Sequence, residues 1–389
     1  MLWLEYEHEG REGPHDGKRG GSNNGEDAEM NGVNDNLTAF LDTVNHRRPA
    51  RILYHFSCTD DLDRRLKERV GGDGDWFKHY GCFSHHGLSP RVPAGTPRLD
   101  FAKYWEKESL PEGSFVNHLG VAEVPSGFYH FTGYVSPLRH ARNLREIEEY
   151  PVADVTKYDF SHFEGEVRRA HAEGYSASIF VGHMYENAWQ IRGYEQFLED
   201  LVERPEWAES PLERFFQNNL HTAVEAAKAG VDAIYCGDDV ASQRNMMFSP
   251  SMWRQFMLSR WARVWRAAKS ARPDVKIHYH SDGNVMSIIP DLVEAGLDIL
   301  NPVQPECLDT DEIHRRWGRV LAFDGCMGTQ STMPFGTPQE VRERVRECIE
   351  KYGREGGLIL SPTHVLEPEV PIANIEAFVD ACREYGGSM

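Results

Sequence analysis

Apolar and polar positions alternate between two periods along this chain. Leu37, Phe40, Leu41 and Val44 recur at helical spacing, and Arg51–Phe56 then reads as a first strand, followed by a helix over Asp60–Val70. From residue 138 the rhythm becomes regular. Strands are expected at Ser176–Val181, Val231–Cys236, Val275–Tyr279, Leu297–Asn301, Val320–Phe323 and Leu358–Ser361. Helices are expected at Leu138–Tyr150, Phe163–Glu173, Gln190–Glu203, Pro211–Ala229, from Ser249-Pro250 onward, at Val285–Ala295, Asp309–Trp317, Thr337–Tyr352 and Ile372–Tyr385. Their ends carry stop and start signals: Gly230 after Ala229, Pro250 behind Ser249, and Thr337-Pro338-Gln339-Glu340 as a capping box. Strand–helix alternation predicts a parallel sheet covered by helices.

Seven strands are legible. An eighth hidden within residues 71–136 makes the expected fold α/β, a single (β/α)8 TIM-like barrel with an irregular N-terminal insertion. The alternative is a doubly wound open sheet. No Gly-x-Gly-x-x-Gly follows any strand, which weakens it. Residues 71–136 are rich in Gly, Pro, His and aromatics without a sustained period; Gly113–Glu123 and Gly127–Tyr134 read as a β-hairpin or two excursions. Long irregular insertions often act as lids. This one carries His85, His86, Asn117, His118, Glu123, Tyr129 and His130, which together would form a substrate cover.

Residues 1–36 hold seven glycines, five asparagines and nine acids against three Lys/Arg. They are expected to be a disordered or loosely docked tail, with the barrel over residues 37–389. A formal charge of −19 argues against nucleic acid, and the chain has no polybasic run for a membrane surface and no stretch long and apolar enough to span one. Seven scattered cysteines without Cys-x-x-Cys are expected to be reduced thiols of a cytoplasmic protein, which would act on a small molecule as a monomer or homodimer.

In a barrel every strand end faces one mouth, where ligands bind. Histidines and carboxylates follow almost every expected strand here. His183, Tyr185, Glu186, Trp189 and Arg192 follow the strand at 176–181. Asp238, Asp239 and Gln243 follow the next; His280 and Asp282 come after that, two residues apart and so facing one way in extended chain. Asn301 and Gln304, then Asp324, then His364 close the series. Helix capping accounts for part of such a set. Buried unpaired acids and histidines cost too much for it to account for all.

The chain resembles the uroporphyrinogen decarboxylase superfamily, which includes the heme-pathway decarboxylase and zinc- and corrinoid-linked methyltransferases. The matching segments are FVGHMYENAWQIRG at 180–193, GDDVASQR at 237–244, SPSMWR at 249–254, HSDGN at 280–284, NPVQ at 301–304, FGTP at 335–338, and LILSPTH at 358–364 running to PIAN at 371–374. The family fold is a TIM-like barrel. The decarboxylase's N-terminal arginine-rich loop has no counterpart in Arg47–Ser57, and Trp189 stands nearest its active-site tyrosine. The methyltransferase branch holds zinc with His-x-Cys and a distant Cys. Those positions are occupied here by His280, Asp282 and about His364, so the resemblance implies a metal site of His280, Asp282 and His364 for zinc, iron or manganese. Without thiolates the substrate would shift from thiols toward oxygen, nitrogen or carboxylate groups. A metal-free site, with Asp282 and Asp239 binding a cationic or pyrrole N–H group, stays open beside it.

The resemblance thus implies methyl transfer between a small substrate and a corrinoid supplied by a partner. Asp239, His280, Asp282 and His364 would be catalytic, and Asp239 with Gln243 would orient the substrate. His183, Tyr185, Glu186, Trp189, Arg192, Asp238, Asn301, Gln304 and Asp324 would line its site. The alternatives are a decarboxylase acting on a tetrapyrrole or small carboxylated substrate, and a non-catalytic barrel that binds a corrinoid or pterin.

Overall fold

Eight short strands run in chain order around one axis: β1 (Leu53–Tyr54), β2 (His86–Leu88), β3 (Ala177–Phe180), β4 (Ala233–Gly237), β5 (Lys276–His280), β6 (Ile299–Val303), β7 (Ala322–Met327) and β8 (Leu358–Pro362). The structure, a computed structural model, describes residues 35–72, 74–128 and 131–387. Each strand from β2 to β8 pairs in parallel with the next, and β8 pairs with β1. Between β1 and β2 the Phe83 N–H donates to the Tyr54 carbonyl at 2.7 Å. This is the order of a (β/α)8 barrel. The hidden strand is β2, only three residues long and without an apolar run.

Strands covered on both faces should be apolar, and their outward positions are; the inward positions also carry buried polar residues, His278, Asp324 and Ser361 among them. Outward residues such as Ile234, Ile277, Tyr279, Leu300 and Leu360 pack under the helices in the main core. Inward residues at the N-terminal end, namely Leu53, Phe83, Ala233, Ile299, Ala322 and Ile359, form a second apolar cluster with Ala39, Phe40 and Val44. The last three lie on the helix Asn36–Val44, which plugs that end.

The insertion contributes a three-stranded antiparallel ribbon, Phe115–Val116, Ala122–Phe128 and Phe131–Val135. Its Tyr134 packs edge-on against Trp189 at 5.7 Å, which seats the ribbon beside the segment that follows β3. His85 does not belong to this cover. It precedes β2 and lies inside the barrel, between Ser176 and Tyr235. His86 faces Glu166 at 3.5 Å, and Asn117 donates to Glu123. Tyr129, His130 and the tail over residues 1–34 lie outside the described residues.

The expected helix Gln190–Glu203 is two helices, Tyr185–Arg192 and Tyr194–Glu203, broken at Gly193 with φ 103°. The helix expected from Pro211 starts at Pro205 and carries Pro211 inside it. Leu138–Tyr150 is helical only over Leu144–Glu148, where Asn143 caps the Glu146 N–H. The capping box at Thr337 and Glu340 is present, and Gly230 closes its helix in the left-handed region. Among the described residues no helix is long and apolar enough to cross a membrane.

Candidate functional site

Side chains alternate along a strand, so Lys276, His278 and His280 of β5 all point inward, with His280 at the mouth. The turn behind it is tight. Gly283 has φ 84°, and a Cβ there would lie 2.5 Å from the Ser242 carbonyl. This close approach brings Asp282 against the loop after β4, where its N–H donates to Asp239 Oδ1 at 2.8 Å. Gln304, buried, receives the Gly283 N–H and holds the same turn from the β6 side.

His280 Nδ1 lies 2.6 Å from Asn301 Oδ1. An amide oxygen only accepts, so Nδ1 carries the proton, and Nε2 faces Asp239 Oδ1 at 3.6 Å. The Asn301 amide is itself oriented, because Nδ2 donates to the Asp324 carbonyl. Asp239, His280 and Asp282 each present a donor atom, all within 4.8 Å of one another. His364, on the turn after β8, places Nε2 3.9 Å from Asp282 Oδ2. Asp282 Oδ1 is buried with no hydrogen-bond partner. An oriented imidazole, two carboxylates and an orphaned oxygen fit a divalent cation. His280, Asp282 and His364 are the residues that would hold one.

Burial works against charge here, and the neighbours decide the outcome. At His280 burial is outweighed by Asp282 and Asp239, which raise its pKa. At Asp239 burial is outweighed by His280 and the Asp282 N–H, which hold it below the ordinary carboxylate value. Burial, with Asp239 adding to it, pushes Asp282 up, and burial pushes His364 down.

The remaining expected residues separate into two groups. Around the mouth, Glu186 Oε1 accepts the Asp239 N–H at 2.9 Å and lies 3.2 Å from His183 Nδ1, which donates to the Gly237 carbonyl. Trp189 is half-buried between Tyr134 and Tyr194, and Gln243 is exposed on the loop after β4. Away from it, the scaffold takes up three. Asp238 is 0% exposed, and its oxygens accept Met184 N–H, Glu186 N–H and Trp261 Nε1–H at 2.8, 3.1 and 3.0 Å. Burial pushes its pKa up to about 7. Although His183, Glu186 and Asp238 also have ligand-like spacing, Asp238 is occupied by these donors. Arg192 is buried on Asp200 at 2.6 Å and the Leu138 carbonyl, and Tyr185 packs between Phe197 and Phe248.

Asp324 lies deeper, in a polar layer that sequence reasoning missed. Its carboxylate meets His55 Nε2 at 3.0 Å, His278 Nε2 at 3.1 Å and Ser361 Oγ at 2.8 Å. Burial opposes its charge, yet His55 and His278 hold it far below the usual carboxylate range. The His278 ring stacks on Tyr235 at 4.0 Å, and Tyr235 OH meets His85 Nε2 at 2.8 Å. Burial pushes His85 down to about 3. The available signal was polar residues on the inward phase of the strands, Tyr235 and His278 among them.

Residues 141–385, more than half of the chain, match the uroporphyrinogen decarboxylase (URO-D) family. A methylated-thiol–coenzyme M methyltransferase of Methanosarcina mazei is 25% identical over 163 residues, covering 41% of this chain and 39% of that protein. The chain thus spans about two fifths of that relative's length. A uroporphyrinogen decarboxylase of Coxiella burnetii is 20% identical over 260 residues, 64% of this chain and 69% of that one. Among solved structures, a methyltransferase from Methanosarcina mazei superposes with a TM-score of 0.60 at 16% identity, covering 90% of this chain and 99% of that chain, a likeness of fold. The matching region, the eight-stranded barrel and the order of segments agree: this chain belongs to the uroporphyrinogen decarboxylase family.

Proposed function

We propose that this chain is a methyltransferase of its family, moving a methyl group between a small substrate and a corrinoid carried by a partner. One observation carries the choice over tetrapyrrole decarboxylation. Among the described residues, Glu186, Asp239 and Asp282 take their hydrogen bonds and ion pairs from histidines and backbone N–H groups, with no lysine or arginine among their partners. A porphyrinogen is lined with carboxylates, and acids with no lysine or arginine beside them offer those carboxylates no guanidinium or ammonium partner. The mouth suits a neutral or positively charged partner instead. The name of the Methanosarcina mazei relative supports the same branch.

Asn301 holds His280 so that Nε2 faces Asp239, and Gln304 with Gly283 fixes the turn that carries Asp282. Asp239 and Gln243 would orient the substrate, and Glu186, with Trp189 behind it, would form the wall. A divalent cation held by His280, Asp282 and His364, zinc or a harder ion, would supply Lewis acidity toward the heteroatom that gives or takes the methyl.

The test incubates purified protein with methylcobalamin and a panel of thiols, alcohols and amines, following loss of the methyl–cobalt absorption and formation of methylated product. Methyl transfer abolished by His280→Ala supports the reading. Carbon dioxide released from a porphyrinogen, with no methyl transfer, overturns it in favour of the second reading. That reading, a decarboxylase on a tetrapyrrole or small carboxylated substrate in which Asp239 stabilises a protonated ring, is favoured by the longer stretch, 260 residues, that the Coxiella burnetii decarboxylase match covers. Tight corrinoid binding without turnover would mark a non-catalytic barrel.

A further inference from the structure

The donor atoms of a site decide which cations it holds well. Thiolates suit zinc in tetrahedral geometry, whereas carboxylate oxygens with imidazole and open positions suit harder ions that take six ligands. At this mouth the convergent donors are Asp239, His280 and Asp282, with His364 at the edge. Both groups of ligand-spaced side chains among the described residues consist of histidines and acids, and no cysteine enters either.

The support around these donors is as specific as the donors themselves. Asn301 Oδ1 accepts a hydrogen bond from the Nδ1–H of His280. The Asp282 N–H occupies Asp239 Oδ1 from one side and so sets the angle of that carboxylate. Asp282 Oδ1 is buried and without a partner, an arrangement that costs free energy unless something not yet counted satisfies it. Donor atoms of Asp239, His280 and Asp282 all lie within 4.8 Å of one another, a convergence that His364 does not share, although its Nε2 lies 3.9 Å from Asp282 Oδ2.

We infer that Asp239 is a direct ligand together with His280 and Asp282, and that the site they form is a hard-donor centre for a divalent cation of the manganese or iron(II) type, with His364 completing it from the side. This rests on the reading of the mouth as a metal site. It adds a ligand and narrows the metal. Zinc binds most nitrogen and oxygen sites more tightly than manganese does, so the signature is a preference ratio and not an absolute affinity.

The experiment uses the full chain, stripped of metal, with Mn(II), Zn(II) and Co(II) as probes. Mn(II) binding is followed by loss of the free-ion electron paramagnetic resonance signal, and Zn(II) by competition in equilibrium dialysis with elemental analysis. The wild-type Co(II) protein is expected to show weak visible bands without sulfur-to-cobalt charge transfer. Asp282→Cys should gain that charge-transfer band and raise the zinc-over-manganese preference by about tenfold or more. Asp239→Asn, folded by circular dichroism, should weaken Mn(II) binding by more than the ~10–100-fold that loss of an outer-shell partner costs. Wild-type protein that retains no Mn(II), or that shows thiolate charge transfer, overturns the inference. So does a folded Asp239→Asn variant with unchanged Mn(II) binding. Because these readouts contain no methyl donor, failure of the methyltransferase reading would appear separately, as metal bound with wild-type selectivity and no methyl transfer.

Discussion

Asp238 and Asp239 are neighbours in sequence, yet the structure gives them opposite duties, and replacing each by alanine tests that division. Asp238 is fully buried, and its carboxylate receives three buried N–H groups, two at the start of helix Tyr185–Arg192 and one from Trp261. Leaving each without a partner costs about 1–3 kcal/mol. The buried carboxyl also carries a desolvation cost, visible in a pKa pushed up to about 7, and its removal returns part of that. The net expectation for Asp238→Ala is a loss of about 2–4 kcal/mol, a large share of an ordinary folding stability. The Asp239 side chain is 38% exposed and accepts the Asp282 N–H, so Asp239→Ala should cost about 0.5–1.5 kcal/mol. Urea unfolding followed by tryptophan fluorescence measures both, with Trp261 adjacent to the deleted group. Methyl transfer by the folded fraction should survive in the first variant and fall steeply in the second. Equal destabilisation by the two substitutions, or a neutral Asp238→Ala, would refute this division.

Three further outcomes follow from the same contacts. Asn301→Leu removes the acceptor that fixes His280 Nδ1–H, so divalent-metal affinity measured by calorimetry should fall ~10–100-fold while the circular dichroism spectrum stays unchanged. Arg192→Ala strips one partner from buried Asp200, which keeps Arg204 at 3.0 Å; chemical denaturation should show a loss of about 3 kcal/mol, and KM for the methyl acceptor should not move. His85, pushed down to about 3 and surrounded by Ser176, Tyr235, His278, His55 and Asp324, stays neutral in the fold, whereas the unfolded chain protonates it near ~6.5. The stability that depends on the neutral ring is therefore complete above ~6.5 and lost as pH falls toward 3, about 2 kcal/mol between pH 6.5 and 5, and His85→Gln should flatten that slope in urea titrations. Asp324, held low by its histidines, adds a second loss only below ~4, where unfolded carboxylates take up protons.

Much of the barrel was legible because most of its parallel strands, though short, put apolar residues on their outward faces between helical periods. β2 was not, because three residues, His86-Gly87-Leu88, pair with β3 through backbone groups that leave no pattern in side-chain type. The convergence of residues 239, 280, 282 and 364 was legible because a closed barrel sends every strand's C-terminal end to one mouth. Which carboxylate faces that mouth was not. Asp238 and Asp239 are identical in type, and only the three-dimensional position of Trp261 and of the helix start distinguishes them. Arg192 looked like a wall residue and is a structural cation, because Asp200 one helix later reaches back across the Gly193 break. His55 and His278 were passed over since a histidine inside a strand reads as packing, and only the inward phase beside Asp324 gives them a partner.

The central claim is that the His280–Asp239–Asp282 constellation is where the chain acts on its substrate. Steady-state methyl transfer from methylcobalamin to a responding acceptor, compared between wild type and His280→Ala at matched folded concentration, tests it most directly. The account predicts a fall in kcat/KM on the order of 100-fold or more with a loss of unfolding stability of only about 0.5–1.5 kcal/mol, the worth of the Asn301 hydrogen bond. A variant that turns over at the wild-type rate would contradict it.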